Sequence, residues 1–280
     1  MRLMRNRFFL FLTILLFNTA ISGAWDLDLR TRGIIHVRDT AQNEVVYVHI
    51  AIDPKKNNAR KVTYEMLTIG NRLRYYGGYD DYQLDSIFMA QPDLDLNHED
   101  YHNLAKNYEQ TYVSVSIDPA NDLLTYYGKI FINRYRYTEP IPEIDWQLSQ
   151  ETQEVMGYEC HKATARWRGR DWTAWYSDIP VDAGPWKFQG LPGLILKLED
   201  ATGQHYFEAI GTKEDKYPFG YEDNLYCKTT REKYEAELED YSANFGKVLA
   251  DSGMILESEE HLAKLRKSPK RSFHSPIELE

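Results

Sequence analysis

The sequence predicts a mainly β chain of the α+β class: a curved antiparallel sheet or half-barrel with one or two helices packed on it. Short runs of period-two alternation, rich in β-branched and aromatic residues, recur along most of the 280 residues. Turn pairs separate many of these runs: Asp53-Pro54, Gly77-Gly78, Asp118-Pro119, Arg168-Gly169 and Thr202-Gly203. Strands joined so tightly must run antiparallel, because parallel neighbours need long crossovers. The 21 Tyr and 6 Trp also suit a pleated surface. No strand–helix rhythm of a doubly wound nucleotide fold is visible.

In chain order, the first element is a leader. Arg2, Arg5 and Arg7 precede the apolar run Phe8 to Phe17, and the small residues Ser22-Gly23-Ala24 follow. Charged, apolar and then small residues form a secretory signal peptide, read over residues 1–24 with cleavage after Ala24. The run is shorter than the roughly 20 apolar residues of a membrane span. No second run of spanning length follows, so the mature chain is expected to be exported, into the periplasm, onto the outer membrane or outside the cell. Losing the three arginines takes the formal net charge from −10 to −13. That balance disfavours nucleic acid or an anionic membrane surface as partner, since phosphate contacts need clustered Lys and Arg.

Strands are predicted at 33–38, 44–52, 62–69, 72–76, 110–117, 123–126, 129–137, 158–165, 172–176, 194–198 and 205–210. One helix is expected from Asn97, with Tyr101, Leu104, Ala105 and Tyr108 on one face. A second begins at Thr229, capped by the Thr229/Glu232 pair, and carries Tyr234, Leu238, Tyr241, Phe245 and Val248 toward the sheet. The domain runs over 25–256 and a charged tail over 257–280. The tail regains alternation at Phe273–Glu280, predicting a docking edge strand with Ile277 and Leu279 on one face.

The most distinctive stretch contains Trp172-Thr-Ala-Trp175-Tyr176, then Gly184-Pro185-Trp186-Lys187-Phe188-Gln189, then Gly190-Leu191-Pro192-Gly193-Leu194-Ile195. The last hexapeptide resembles the motif of the GLPGLI family of Bacteroidetes-type exported proteins. The segment Gly157–Ala163, the Ile179-Pro180 step and the Gly184-Pro185 turn resemble that family too. The resemblance implies an exported, β-rich protein and carries no assigned activity. The order of strands from Trp146 onward also looks like the outer-membrane lipoprotein-carrier fold, an analogy that does not fix function.

The hexapeptide has no nucleophile, acid, base or ligand, so Gly190, Leu191, Pro192, Gly193, Leu194 and Ile195 are read as structural. Leu191–Leu194 suits a type II turn, with Gly193 supplying positive φ. The loop before it makes Trp186 and Phe188, with Trp175 on the preceding strand, the candidate binding residues for an apolar ligand, a lipid or an extended peptide. Cys160 and Cys227 are the two cysteines, and the sequence leaves open whether they form a disulfide.

His98-Glu99-Asp100-Tyr101-His102 matches H-E-x-x-H, in which His98 and His102 would bind Zn²⁺ and Glu99 would act as general base. Against it, Asp100 puts a charge inside the motif, and Ala105 and Tyr108 replace the Gly and His of a metzincin. The three residues also point away from the helix's apolar face. The expectation is therefore a non-enzymatic envelope protein without cofactor, with a zinc hydrolase as the alternative.

Overall fold

The computed structural model describes residues 36–90, 106–108, 111–221, 226–252, 258–267 and 271–280. The leader and the His98–His102 motif lie outside these residues, as does the expected helix start at Asn97. Thirteen strands among the described residues form one large, curved, unclosed sheet. They are β1 (His36–Asp53), β2 (Ala59–Gly70), β3 (Arg74–Gly78), β4 (Ser114–Asp118), β5 (Leu123–Ile130), β6 (Asn133–Glu139), β7 (Gln147–Val155), β8 (Tyr158–Trp167), β9 (Arg170–Ser177), β10 (Ile195–Asp200), β11 (His205–Glu214), β12 (Pro218–Tyr221) and β13 (Cys227–Lys228). Their spatial order is β13-β6-β5-β4-β3-β2-β1-β11-β10-β9-β8-β7, with β12 beside the start of β1. Neighbours are antiparallel except β13 on β6, which is parallel. Among the described residues there are also four α-helices: α1 (Tyr79–Ala90), α2 (Arg231–Ala243), α3 (Phe245–Asp251) and α4 (Glu259–Lys267).

Several expectations need correction. The described part of the run at 33–38, from His36, forms one strand with the run at 44–52, because bulges at Val37/Asp39 and Val46/Tyr47 let β1 bend from β12 to β11 without ending. The run 129–137 instead splits at Phe131, which turns at φ 55° without any glycine to announce it. Strand β7 has no apolar alternation to read, since it is an edge strand exposed over most of its length.

The cap of α2 is Thr230, whose side chain accepts from the Lys233 N–H. Thr229 still belongs to the sheet, donating its N–H to Arg136 O at 2.9 Å. That helix also stops at Asn244, so Phe245 and Val248 sit on α3 rather than on the same helix as Tyr234.

The larger core gathers Tyr47, Tyr76, Tyr126, Tyr137, Trp175, Leu194 and Leu196 with Tyr234 of α2. A second core packs Trp167, Trp172, Tyr176, Phe188, Leu191, Ile195 and Phe207. Alternation along β9 divides its rings between the two: Trp175 faces the first core, Trp172 and Tyr176 the second.

Gly193 does not adopt the positive φ of a type II turn; Gly190 does, at +89°. What Gly193 provides is closeness, since a Cβ there would stand 1.8 Å from Ser177 O. Ser177 N and Leu194 O are hydrogen-bonded at 2.9 Å, so this approach ties the end of β9 to the start of β10. Even Gly193→Ala is therefore expected to cost about 3 kcal/mol or more, because backbone must move to admit one methyl. Gly203, at φ +69° with open space around it, is the control. Gly203→Ala should cost only about 1–2 kcal/mol of backbone strain. Equal losses of melting temperature in the two variants would refute the close-approach role.

Candidate functional site

The loop between β9 and β10, residues 178–194, folds back across the sheet, with Ala183 O accepting from Ile195 N–H at 2.9 Å. Its tip buries three consecutive side chains in different surroundings. Phe188 is 1% exposed and stands between the rings of Trp167 and Trp172, 4.8 and 4.7 Å away. Trp186 is half-buried and packs on both cores. Lys187 is fully buried between them. Trp186 holds the left-handed conformation, φ 58°, which costs a bulky residue about 1–3 kcal/mol and survives only where its surroundings enforce it.

Three aromatic rings surround the Lys187 ammonium: Tyr137 at 5.2 Å, Tyr126 at 5.6 Å and Trp186 at 5.8 Å. Two carboxylates reach it, Glu139 of β6 at 2.7 Å and Glu278 at 2.8 Å. Arg168 pairs with the same two carboxylates, at 3.1 and 3.5 Å. Arg231, at the start of α2, lies 3.3 Å from Glu278 and 3.5 Å from Glu235.

Glu278 belongs to residues 271–280, which cross the molecule without helix or strand. Arg170 donates to Pro276 O at 2.7 Å and to Ile277 O at 3.0 Å. The His274 N–H donates to Asp53, and Ser275 Oγ donates to Ile52 O. Leu279 N–H donates to Arg168 O at 2.9 Å, a single backbone bond to the β8–β9 turn rather than a ladder. The expected edge strand is thus an irregular docked segment. Nor does its alternation hold: Ile277 packs on the second core, but Glu278 is buried and Leu279 is 55% exposed. The sequence could not signal this, since the partners that make Glu278 an inside residue come from three distant elements.

Beneath the segment lies a chain of buried imidazoles. His205 Nε2 is 3.1 Å from Pro276 O and 3.3 Å from Ser275 Oγ, whose own proton goes to Ile52 O. Nε2 therefore carries a hydrogen. Nδ1 of the neutral ring then accepts, 3.2 Å from His49 Nε2. His49 Nδ1 in turn donates to Glu65 at 3.0 Å, and Thr63 and Tyr76 donate to the same carboxyl. Burial would raise the Glu65 carboxyl, but the His49 charge and these donors hold it below its ordinary value. Burial, then the His49 and Arg170 charges, push His205 down to about 3.

Of the residues singled out from sequence, the structure brings Trp186 and Phe188 together at the loop tip and puts Trp175, 8% exposed, in the larger core. Cys160 is buried and Cys227 exposed, and both are free thiols rather than a disulfide. They sit on β8 and β13, toward opposite ends of the strand order. Burial pushes the Cys160 thiol up to about 11, away from nucleophilic chemistry. Among the described residues no group of three or more His, Cys, Asp or Glu is placed to hold a metal. Sequence reading missed Lys187, Glu139, Arg168, Arg170, His205 and Glu278.

The His205 shift has a definite sign. A histidine depressed to about 3 when folded binds fewer protons than the unfolded chain below pH 6.5. Its contribution is complete above pH 6.5 and lost as pH falls toward 3. Stability of the protein relative to His205→Gln should therefore fall by about 3 kcal/mol between pH 7 and pH 4, at roughly 1.4 kcal/mol per unit. Parallel unfolding curves for the two proteins across that range would show that His205 does not titrate on unfolding.

A search of curated proteins finds no match to this chain. Solved structures of PNGF-II in P21 and C2 space groups are similar, with TM-scores of 0.49 and 0.48 at 14% and 15% identity. Each alignment covers 72% of this chain, which spans only 33% of the PNGF-II chain. Residues 167–197, from the end of β8 through the Gly190–Ile195 motif, match the family described as "Protein of unknown function (Porph_ging)", a Bacteroidetes-type domain.

Proposed function

We propose that this chain is an exported, GLPGLI-type envelope protein that binds an extended peptide without catalysis, in the cleft that residues 271–280 occupy. One observation carries the reading: an irregular segment is held the way a bound peptide is held. Arg170 and His205 grip its carbonyls, Asp53 takes one of its N–H groups, and a charged pocket receives one side chain. Backbone contacts supply affinity in such a mode, and side-chain pockets supply selection. An acyl chain fits less well, because Tyr126 and Tyr137 of the sheet already pack on Tyr234 of α2, in a core that Tyr47 and Tyr76 share. Export rests on the leader, and among the described residues no helix is long and apolar enough to cross a membrane.

A chain lacking residues 273–280, shown to be folded by circular dichroism, should bind a synthetic peptide of sequence Arg271–Glu280 and gain melting temperature. The intact chain should not, since its own segment competes at high effective concentration. Absence of peptide binding by the folded truncated chain would remove this reading. Stoichiometric Zn²⁺ in the purified protein, lost in His98→Ala, would move the assignment to the hydrolase alternative.

A further inference from the structure

The Glu278 pocket has a charge count that restricts what can occupy it. Lys187, Arg168 and Arg231 bring three positive charges, and the two fixed carboxylates nearby are Glu139 and Glu235. The third carboxylate is that of Glu278, delivered by the docked segment, whose Glu280 O also accepts from Arg231. With the segment docked Lys187 is fully buried, so losing that carboxylate takes away one of the two charges that pair its ammonium. A buried charge stripped of one partner is costly, so the pocket disfavours any occupant that brings no anion.

The donors around Glu278 are built for a carboxylate in particular. Oε1 accepts from Lys187 Nζ at 2.8 Å and from the Trp186 indole N–H at 3.0 Å. Oε2 faces Arg231 at 3.3 Å and Arg168 at 3.5 Å. The two oxygens are thus read separately, from opposite sides. Trp186 donates there from a backbone held in the left-handed region, a strain placed at the contact itself. One position further, Gly169 leaves room for the next residue: a Cβ on it would lie 2.8 Å from Leu279 Cβ. That residue's N–H is taken by Arg168 O.

Resting on the peptide-binding reading, we infer that Lys187, Trp186, Arg168 and Arg231 form a carboxylate-reading pocket, and that the ligand class is an extended peptide bearing a glutamate two residues after a proline. Glu278 is the occupant in this chain, and Pro276 fills the position gripped by Arg170 and His205.

The test uses the full-length protein carrying Glu278→Ala, which empties the pocket while leaving the segment in place. Acetate at tens of millimolar should restore the lost melting temperature and shift the tryptophan fluorescence, and chloride at equal ionic strength should not. Adding Lys187→Met to this variant should abolish the acetate response. With the folded chain lacking 273–280, the Arg271–Glu280 peptide should bind about tenfold or more tightly than the same peptide with Gln at the Glu278 position, since a bond to a charged acceptor is roughly twice a neutral one. Equal binding of the two peptides would overturn the pocket and leave the peptide-binding function standing. Acetate rescue without binding of either peptide would keep the pocket and overturn the peptide ligand. No response to acetate in Glu278→Ala would overturn the pocket directly.

Discussion

A single ammonium group, that of Lys187, sets the terms for the end of the molecule where sheet, loop and trailing segment meet. It is wholly removed from water, and such a charge is tolerable only with close opposite charges and satisfied hydrogen bonds. Glu139 from β6 and Glu278 from the 271–280 segment meet that demand, with Tyr137 Oη taking a third hydrogen bond at 3.1 Å. These groups come from parts of the chain far apart in sequence. The ion cluster therefore joins three distant parts of the chain, since the loop, β6 and the segment meet at one ammonium.

The loop itself is held at its C-terminal end and at its tip by different physics. At the end Gly193 lets backbone touch backbone beside Ser177. At the tip Phe188 is locked among indoles while Trp186 is held in the left-handed region. A strained residue two positions from a locked ring resembles the clamps found at binding sites more than an ordinary core connection. The Gly190–Ile195 motif ties this loop to the end of β9, through the Gly193 and Leu194 contacts with Ser177. That agrees with its lack of any reactive group.

Below the segment, the His205–His49–Glu65 chain links three strands, β11, β1 and β2, to the Pro276 carbonyl. Its proton inventory follows from the acceptors at either end: a carbonyl and a carboxylate both require donors, so the two rings between them must supply both. The docked segment and the buried imidazole pair thus share one run of hydrogen bonds.

Much of the fold was legible in the sequence, because period-two alternation and turn pairs are local signals. The strands at 62–69, 158–165, 172–176 and 205–210 follow from those signals, as does the helix that carries Tyr234. What escaped was set by neighbours. Polar β7 is a strand because β8 pairs with it, and Phe131 turns without glycine. Gly193 is needed for a contact with a residue sixteen positions earlier rather than for its own φ. The site escaped for the same reason more strongly. Lys187 reads as a surface lysine and Glu278 as the polar face of a strand, since nothing local says that either will be buried. By itself the sequence determined the β-rich class, the helix facing the sheet and the loop that carries Trp186 and Phe188. Only the tertiary structure decided which charges meet, because burial of an ion depends on partners the chain delivers from far away.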